Sequence, residues 1–312
     1  MRIVFMGTPE FAIPSFEHLL NSCHRIVGVY TRKPSKGPGR QKLHQPPIYN
    51  LASARNIDIF TPGTFKNGKN LADLRLLKPD LVVVVAYGLI LPRELLKIPK
   101  YGCLNVHPSL LPRWRGCAPI ERCLMSDDSE TGVCIMKVDE GIDSGEIIST
   151  RKIEISRNTN IRSLRRNLAI IGSEMLLDVI DELQKCGKIS STKQDDSLAT
   201  FAPKINASDS IVNWQSDSVV KIHRKIMALN DSFGVNITHR NNRLKLILSD
   251  YVLKKNSGEN VGKIVDDKFS IGCTDGILKI LEIQRMGKKI ITIENFVNGY
   301  RFNIGDDIFG PQ

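Results

Sequence analysis

Short, near-continuous apolar runs alternate with amphipathic stretches along the first half of the chain. Residues 3–6, 26–30 and 81–86 are rich in β-branched side chains and predict strands buried on both faces. Helices are predicted between them, around 15–20, 47–55 and 71–77. Further strands are expected over 103–107, 131–138 and 146–155. Ile161, Leu164, Leu168, Ile171, Met175, Val179 and Leu183 then recur at three- and four-residue steps. That spacing predicts one long amphipathic helix, closed near Cys186-Gly187, where a glycine can take the left-handed cap. The alternation predicts an α/β fold with a Rossmann-like, doubly wound, mainly parallel sheet.

The pattern changes in the second half. Residues 190–207 are polar and read as a linker between a domain over 1–189 and another over 208–312. One helix is expected over 218–229. Short strands punctuated by Gly234, Asn241-Asn242, Gly258, Gly262, Gly272 and Gly276 follow, which predicts a small OB-like β-barrel. Leu244, Leu246 and Leu248 alternate with Lys245 and Ile247, so Lys245 is expected to face outward.

Composition narrows the class. With 41% hydrophobic and 25% charged residues over 312 positions, the chain suits a globular protein of two domains, and no run is long enough to span a bilayer. Its opening enters a strand directly, so no cleavable leader is expected. Seven cysteines form no C-x-x-C pair, which fits a reducing cytoplasm and argues against a metal site. The formal charge of +11 points toward a polyanionic partner. It is densest near the start, with seven basic and two acidic residues over 1–50. The first strand leads into Gly7-Thr8-Pro9-Glu10-Phe11, without a G-x-G-x-x-G or P-loop pattern, so neither NAD nor ATP is expected.

The segment from Asn105 to Gly116 carries the most chemical information. Asn105 and His107 sit two apart at the end of a predicted strand and so share a face, until Pro108 stops the strand. An amide donor beside an imidazole suits the stabilisation of a developing oxyanion. The spacing alone fits a packed, hydrogen-bonded histidine equally well. Further on, Gly141-Ile142-Asp143-Ser144-Gly145 suits a tight loop that aims a carboxylate inward. Such an Asp can orient an imidazole for acid–base work, or can simply serve the turn.

Taken together, these segments resemble the folate-dependent formyltransferases, and among them the branch that acts on methionyl initiator tRNA. The resemblance runs nearly end to end, through residues 5–11, 84–92, 105–119, 139–145 and 275–278. It implies that Asn105, His107 and Asp143 are the catalytic trio. It implies that Ser109, Leu110, Leu111 and Pro112 contact 10-formyltetrahydrofolate, the formyl donor, and that Ala86, Tyr87, Gly88, Leu89, Ile90, Asp139, Glu140 and Gly141 line the pterin pocket. Pro108 stands where some members of that family have Gly, and Cys117 where Ala is common. The run from Thr31 to Lys42 holds Arg32, Lys33, Lys36, Arg40 and Lys42 in a Gly/Pro-rich loop. By resemblance this loop contacts the tRNA acceptor stem, with Lys204 and Lys245 as further phosphate contacts, although a solvated basic loop would look the same. Aromatic residues make up only 6%, so broad base-stacking platforms are not expected. A monomer is the family expectation. The rival readings are a formyltransferase for a small amine, a formyl-folate hydrolase, and an inactive RNA-binding module.

Overall fold

The computed structural model describes residues 1–36, 43–66, 68–126, 128–254 and 260–309. In chain order the strands are β1 (Arg2–Gly7), β2 (Arg25–Tyr30), β3 (Ser35–Lys36), β4 (Leu43–His44), β5 (Ile59–Phe60), β6 (Leu81–Val85), β7 (Cys103–His107), β8 (Arg115–Gly116), β9 (Glu130–Lys137), β10 (Ile147–Glu154) and β11 (Phe201–Ala202), then β12 (Val235–His239), β13 (Asn242–Leu253), β14 (Ile271–Cys273), β15 (Gly276–Arg285) and β16 (Ile290–Thr292). The helices are α1 (Ile13–Leu20), α2 (Pro47–Ala54), α3 (Gly68–Leu76), α4 (Arg93–Leu96), α5 (Pro119–Met125), α6 (Ile161–Cys186), α7 (Val219–Leu229) and α8 (Ile293–Val297).

The chain forms two compact units. The first contains Met1–Pro119, Glu130–Glu154 and Arg165–Pro203. Its sheet runs β10-β9-β7-β6-β1-β2-β5, and the five strands from β7 to β5 are parallel. β9 and β10 extend it in antiparallel fashion. β1 lies between β2 and β6, so the chain winds outward in one direction and then returns to wind in the other. Ligands of such sheets bind beyond the carboxyl ends of the strands, at that reversal. Ile3, Val4, Phe5 and Met6 of β1 are fully buried, as a strand covered on both faces requires. Gly187 closes α6 at φ +69°, as the spacing predicts.

The second unit contains Ile120–Ser129, Ile155–Leu164 and Lys204–Gln312. Its five strands are antiparallel, in the order β12-β13-β15-β14, with β16 beside β15. Backbone bonds close the ring. Gly272 pairs with the 262–263 segment, Ile308 donates to Gly262, and Thr238 of β12 donates to Ile308. Closing the sheet on itself removes the exposed edges that an open sheet would present. Phe269, fully buried, sits in edge-to-face contact with Phe296, Tyr300, Phe302 and His239. α7 lays Val219, Ile222 and Ile226 on the same core.

Three features depart from the expectations above. The polar stretch does not leave the first unit at 189. Thr192 bridges Ile147, Gln194 is buried, and β11 pairs with β8, so the unit extends to Pro203. The second unit also recruits 120–129 and 155–164, through the two-pronged Arg122–Asp209 pair at 2.6 and 3.0 Å and the Arg157–Asp250 pair at 2.6 Å. Finally, Ile247 is buried beside Leu246, because the β13–β15 register slips around Leu246/Leu248 and breaks the alternation.

Truncating Phe269 to Ala should destabilise the second unit by about 3–5 kcal/mol. Trp214 belongs to that core, so its fluorescence in a Trp114→Phe background reports the unit's urea transition. The transition should move to lower urea; an unmoved midpoint would contradict this account of the core.

Candidate active site

Asn105 and His107 lie on the last turns of pleat in β7, at the carboxyl edge of the sheet. Val106 between them points to the opposite face, where α6 approaches closely. A Cβ on Gly172 would stand 2.6 Å from Val106 Cγ1, so only glycine allows that approach. Asp143 lies in the connection between β9 and β10, in the left-handed region at φ +49°. The loop returns tightly to β9. A Cβ on Gly145 would sit 1.9 Å from the Lys137 carbonyl oxygen.

The structure brings these three side chains together. Asn105 Nδ2 donates to Asp143 Oδ1 at 3.3 Å, and His107 Nδ1 lies 3.5 Å from Asp143 Oδ2. The Gly116 N–H donates to the same Oδ2 at 2.8 Å. His107 Nε2 meets the Trp114 carbonyl at 2.9 Å. A carbonyl only accepts, so Nε2 carries the hydrogen there, and Nδ1 can donate to Asp143 only from the cationic ring. His107 is 3% exposed, while the Asp143 carboxylate is 20% exposed and reaches solvent. Asn105 commits one amide hydrogen to Asp143 and keeps a second for a ligand.

The residues expected at a folate divide by exposure. Ala86, at φ +48°, and Gly88, at φ +79°, are exposed and turn the chain at the end of β6. Ile90 is 88% exposed, Leu89 packs partly into the core, and Tyr87 is buried, its burial pushing the phenol up. Ser109 is fully buried and donates to the Arg113 carbonyl at 2.7 Å. Leu111 is buried against Cys134 and Met136, with Leu110 and Pro112 half-buried. Tyr87, Ser109 and Leu111 are therefore buried as whole residues, whereas Ala86, Gly88 and Ile90 are exposed. Asp139 accepts from Gly141 N and Ser144 Oγ and shapes the loop, and Glu140 pairs with Arg93 at 3.0 Å in solvent.

The candidate cations are dispersed. Arg32 and Lys33 are exposed beyond β2, and Lys36 belongs to β3, which pairs with β4 as a hairpin. Arg40 and Lys42 lie outside the described residues. Lys204 is exposed in the second unit. Lys245 is not free on the strand face: its Nζ donates to the Ser232 carbonyl at 2.9 Å, and burial lowers its pKa. Among the described residues, one group has metal-ligand chemistry: Cys23, His24 and Asp181. His24 Nε2 meets Asp181 at 3.0 Å, which satisfies the ring without a metal. It precedes β2, at the amino edge of the sheet, opposite the edge that holds His107.

Several contributors have no signal in the sequence. Gly116 and Trp114 act through backbone atoms, and Thr200 Oγ1 accepts from Trp114 N at 3.0 Å. Gln194 Nε2 donates to the carbonyls of Asp143 and Gly145 at 2.8 and 2.7 Å. The nearest available hint was Arg115, one of two cations, with Arg113, in the segment that follows the strand.

The thiols separate by environment. Cys103 and Cys273 are buried, and burial pushes each up to about 12. Cys117, next to Gly116, is exposed, as are Cys23 and Cys186. At pH 8 a group at 12 is ionised to only about one part in 10⁴, and the thiolate is the nucleophile. Iodoacetamide on the folded chain should therefore label Cys23, Cys117 and Cys186 and spare Cys103 and Cys273. Mass spectrometry showing early labelling of Cys103 or Cys273 would contradict the burial described.

Comparison with known proteins places this geometry. Residues 1–180 match the family model "Formyl transferase", and residues 204–301 match "Formyl transferase, C-terminal domain". The methionyl-tRNA formyltransferase of a Wolbachia species is 40% identical over 301 residues, spanning 96% of this chain and 97% of the relative. That of Bartonella tribocorum is 38% identical over 304 residues, spanning 96% and 97%. Among solved structures, WlaRD, a sugar 3N-formyl transferase, superposes with a TM-score of 0.66 at 20% identity, over 93% of this chain and 99% of its own. The phosphoribosylglycinamide formyltransferase of Bacillus halodurans superposes with a TM-score of 0.51 at 21% identity, over 60% of this chain and 97% of its own. At those identities the structural likeness speaks for the fold alone. The two family models and the near-full-length relatives establish that this chain belongs to the formyl transferase family.

Proposed function

We propose that this chain transfers the formyl group of 10-formyltetrahydrofolate to the free α-amine of methionine carried by initiator tRNA, producing N-formylmethionyl-tRNA for translation initiation. The observation that carries this reading is the convergence of Asn105, His107 and Asp143 at the carboxyl edge of a doubly wound sheet, in a chain similar over its whole length to methionyl-tRNA formyltransferases. In this reading the enzyme works as a cytoplasmic monomer.

The folate supplies an activated formyl group on N10. The chain's residues do the rest. The second amide hydrogen of Asn105 would donate to the formyl oxygen and stabilise the charge that grows there as the amine adds. His107 in its cationic form contributes a positive charge beside that oxygen. Asp143 holds that cation and accepts the proton that the attacking amine must lose, passing it toward the departing nitrogen. The exposed turn at Ala86–Gly88 and the outward Ile90 and Ile142, 88% and 62% exposed, offer backbone polar groups and apolar surface suited to a flat heterocycle. No covalent enzyme adduct is required.

The net charge of +11 suits a nucleic-acid acceptor better than a small amine. Arg32 and Lys33, exposed beyond β2, are the described cations best placed to meet phosphate in solution.

Incubating the chain with 10-formyltetrahydrofolate and methionyl initiator tRNA should give N-formylmethionine after mild hydrolysis. Asn105→Ala and His107→Ala should each lower kcat by about 10²- to 10³-fold while leaving tRNA affinity within about twofold. Consumption of the folate without formylation of methionine would retain the donor and overturn the acceptor.

A further inference from the structure

Asp143 occupies a left-handed conformation, which Asp tolerates better than most side chains but which still persists best where its surroundings hold it. Something must hold the loop. We infer that Gln194 is a positioning residue for the formyl transfer, fixing the backbone of Asp143 so that its carboxylate stays against Asn105 and His107. This inference rests on the reaction proposed above.

Gln194 is 6% exposed and uses its whole hydrogen-bonding capacity. Its Nε2 donates to the Asp143 and Gly145 carbonyls at 2.8 and 2.7 Å. Its Oε1 accepts from Arg115 Nε at 3.0 Å and Arg115 Nη2 at 2.8 Å. A side chain facing two carbonyls on one side and a guanidinium on the other can adopt only one amide orientation. Arg115, itself 5% exposed, is held in turn by Asp196 at 2.8 Å. The peptide that follows Arg115 supplies the Gly116 N–H to the Asp143 carboxylate at 2.8 Å. Asp143 is thus gripped twice from one short segment: by its carboxylate directly, and by its carbonyl through Gln194 and the Arg115 side chain. β11 pairs with β8 across Arg115 and Gly116 and keeps that segment in place.

The isosteric Gln194→Glu variant separates positioning from folding. Its carboxylate keeps, and strengthens, the pairing with Arg115, yet it turns an oxygen toward two carbonyl oxygens and repels the loop. In the intact chain, kcat for formylation should fall on the order of 10- to 100-fold, with KM for folate and tRNA within about twofold. In an Asp143→Ala background the same change should cost no further rate, because Gln194 acts only through Asp143. Independently of turnover, exchange of the Gly116 amide hydrogen should accelerate at least tenfold in Gln194→Glu and in Asp143→Ala alike. A Gln194→Glu enzyme within twofold of wild type, an equal loss in the Asp143→Ala background, or an unchanged Gly116 exchange rate would overturn the inference. If the wild-type chain fails to formylate, the reaction is misassigned, and the exchange measurement still decides whether Gln194 positions Asp143.

Discussion

The carboxylate of Asp143 is the constraint on which the site depends. Three groups from different parts of the first unit converge on it: the Asn105 amide and His107 ring from β7, and the Gly116 N–H from β8. None of them could be placed independently. The sheet sets the spacing of Asn105 and His107, and the left-handed turn at Asp143 brings the carboxylate to them. The Trp114 carbonyl, itself held in a left-handed residue at φ +64°, fixes the far side of the imidazole. Side chains preorganised in this way need little rearrangement when charge develops beside them.

The surrounding fold serves that arrangement through close approach. Gly172 lets α6 press on the reverse of β7 beneath Val106, and Gly145 lets the Asp143 loop return onto Lys137. The carboxyl edge, where the winding direction of the sheet reverses, leaves Ala86 and Gly88 exposed beside it. Tyr87 between them, Ser109 and Leu111 are buried and anchor their segments.

The parallel sheet and α6 were legible because each rests on local information, whereas Asn105, His107 and Asp143 were joined only through the resemblance to a family. Residues 81–86 are apolar enough to demand burial on both sides, and the 161–183 spacing is a helix period. The support around the site was not legible. Gln194 stands in a polar run, and the partners that make its burial favourable, Arg115 and the Asp143 and Gly145 carbonyls, lie 49 to 79 positions away. The grip of Arg122 on Asp209 and of Arg157 on Asp250, which draws early segments into the second unit, is likewise invisible to periodicity. The burial of Ile247 beside Leu246 was not legible, because a register slip is set by the pairing with β15 and not by β13 itself. Lys245 looked like a free cation because nothing in its own strand shows the Ser232 carbonyl that takes its ammonium.

The central claim is that one carboxylate organises the chemistry, and the most direct test replaces only its charge. Asp143→Asn keeps the size of the side chain and an oxygen for the Gly116 N–H, but it can neither hold a cationic His107 nor take a proton from the amine. Single-turnover formyl transfer to methionyl initiator tRNA, with the folate and tRNA both saturating, should slow by at least about 100-fold. Binding of both substrates should be unchanged. A transfer rate within a few fold of wild type would show that the reaction does not run through Asp143.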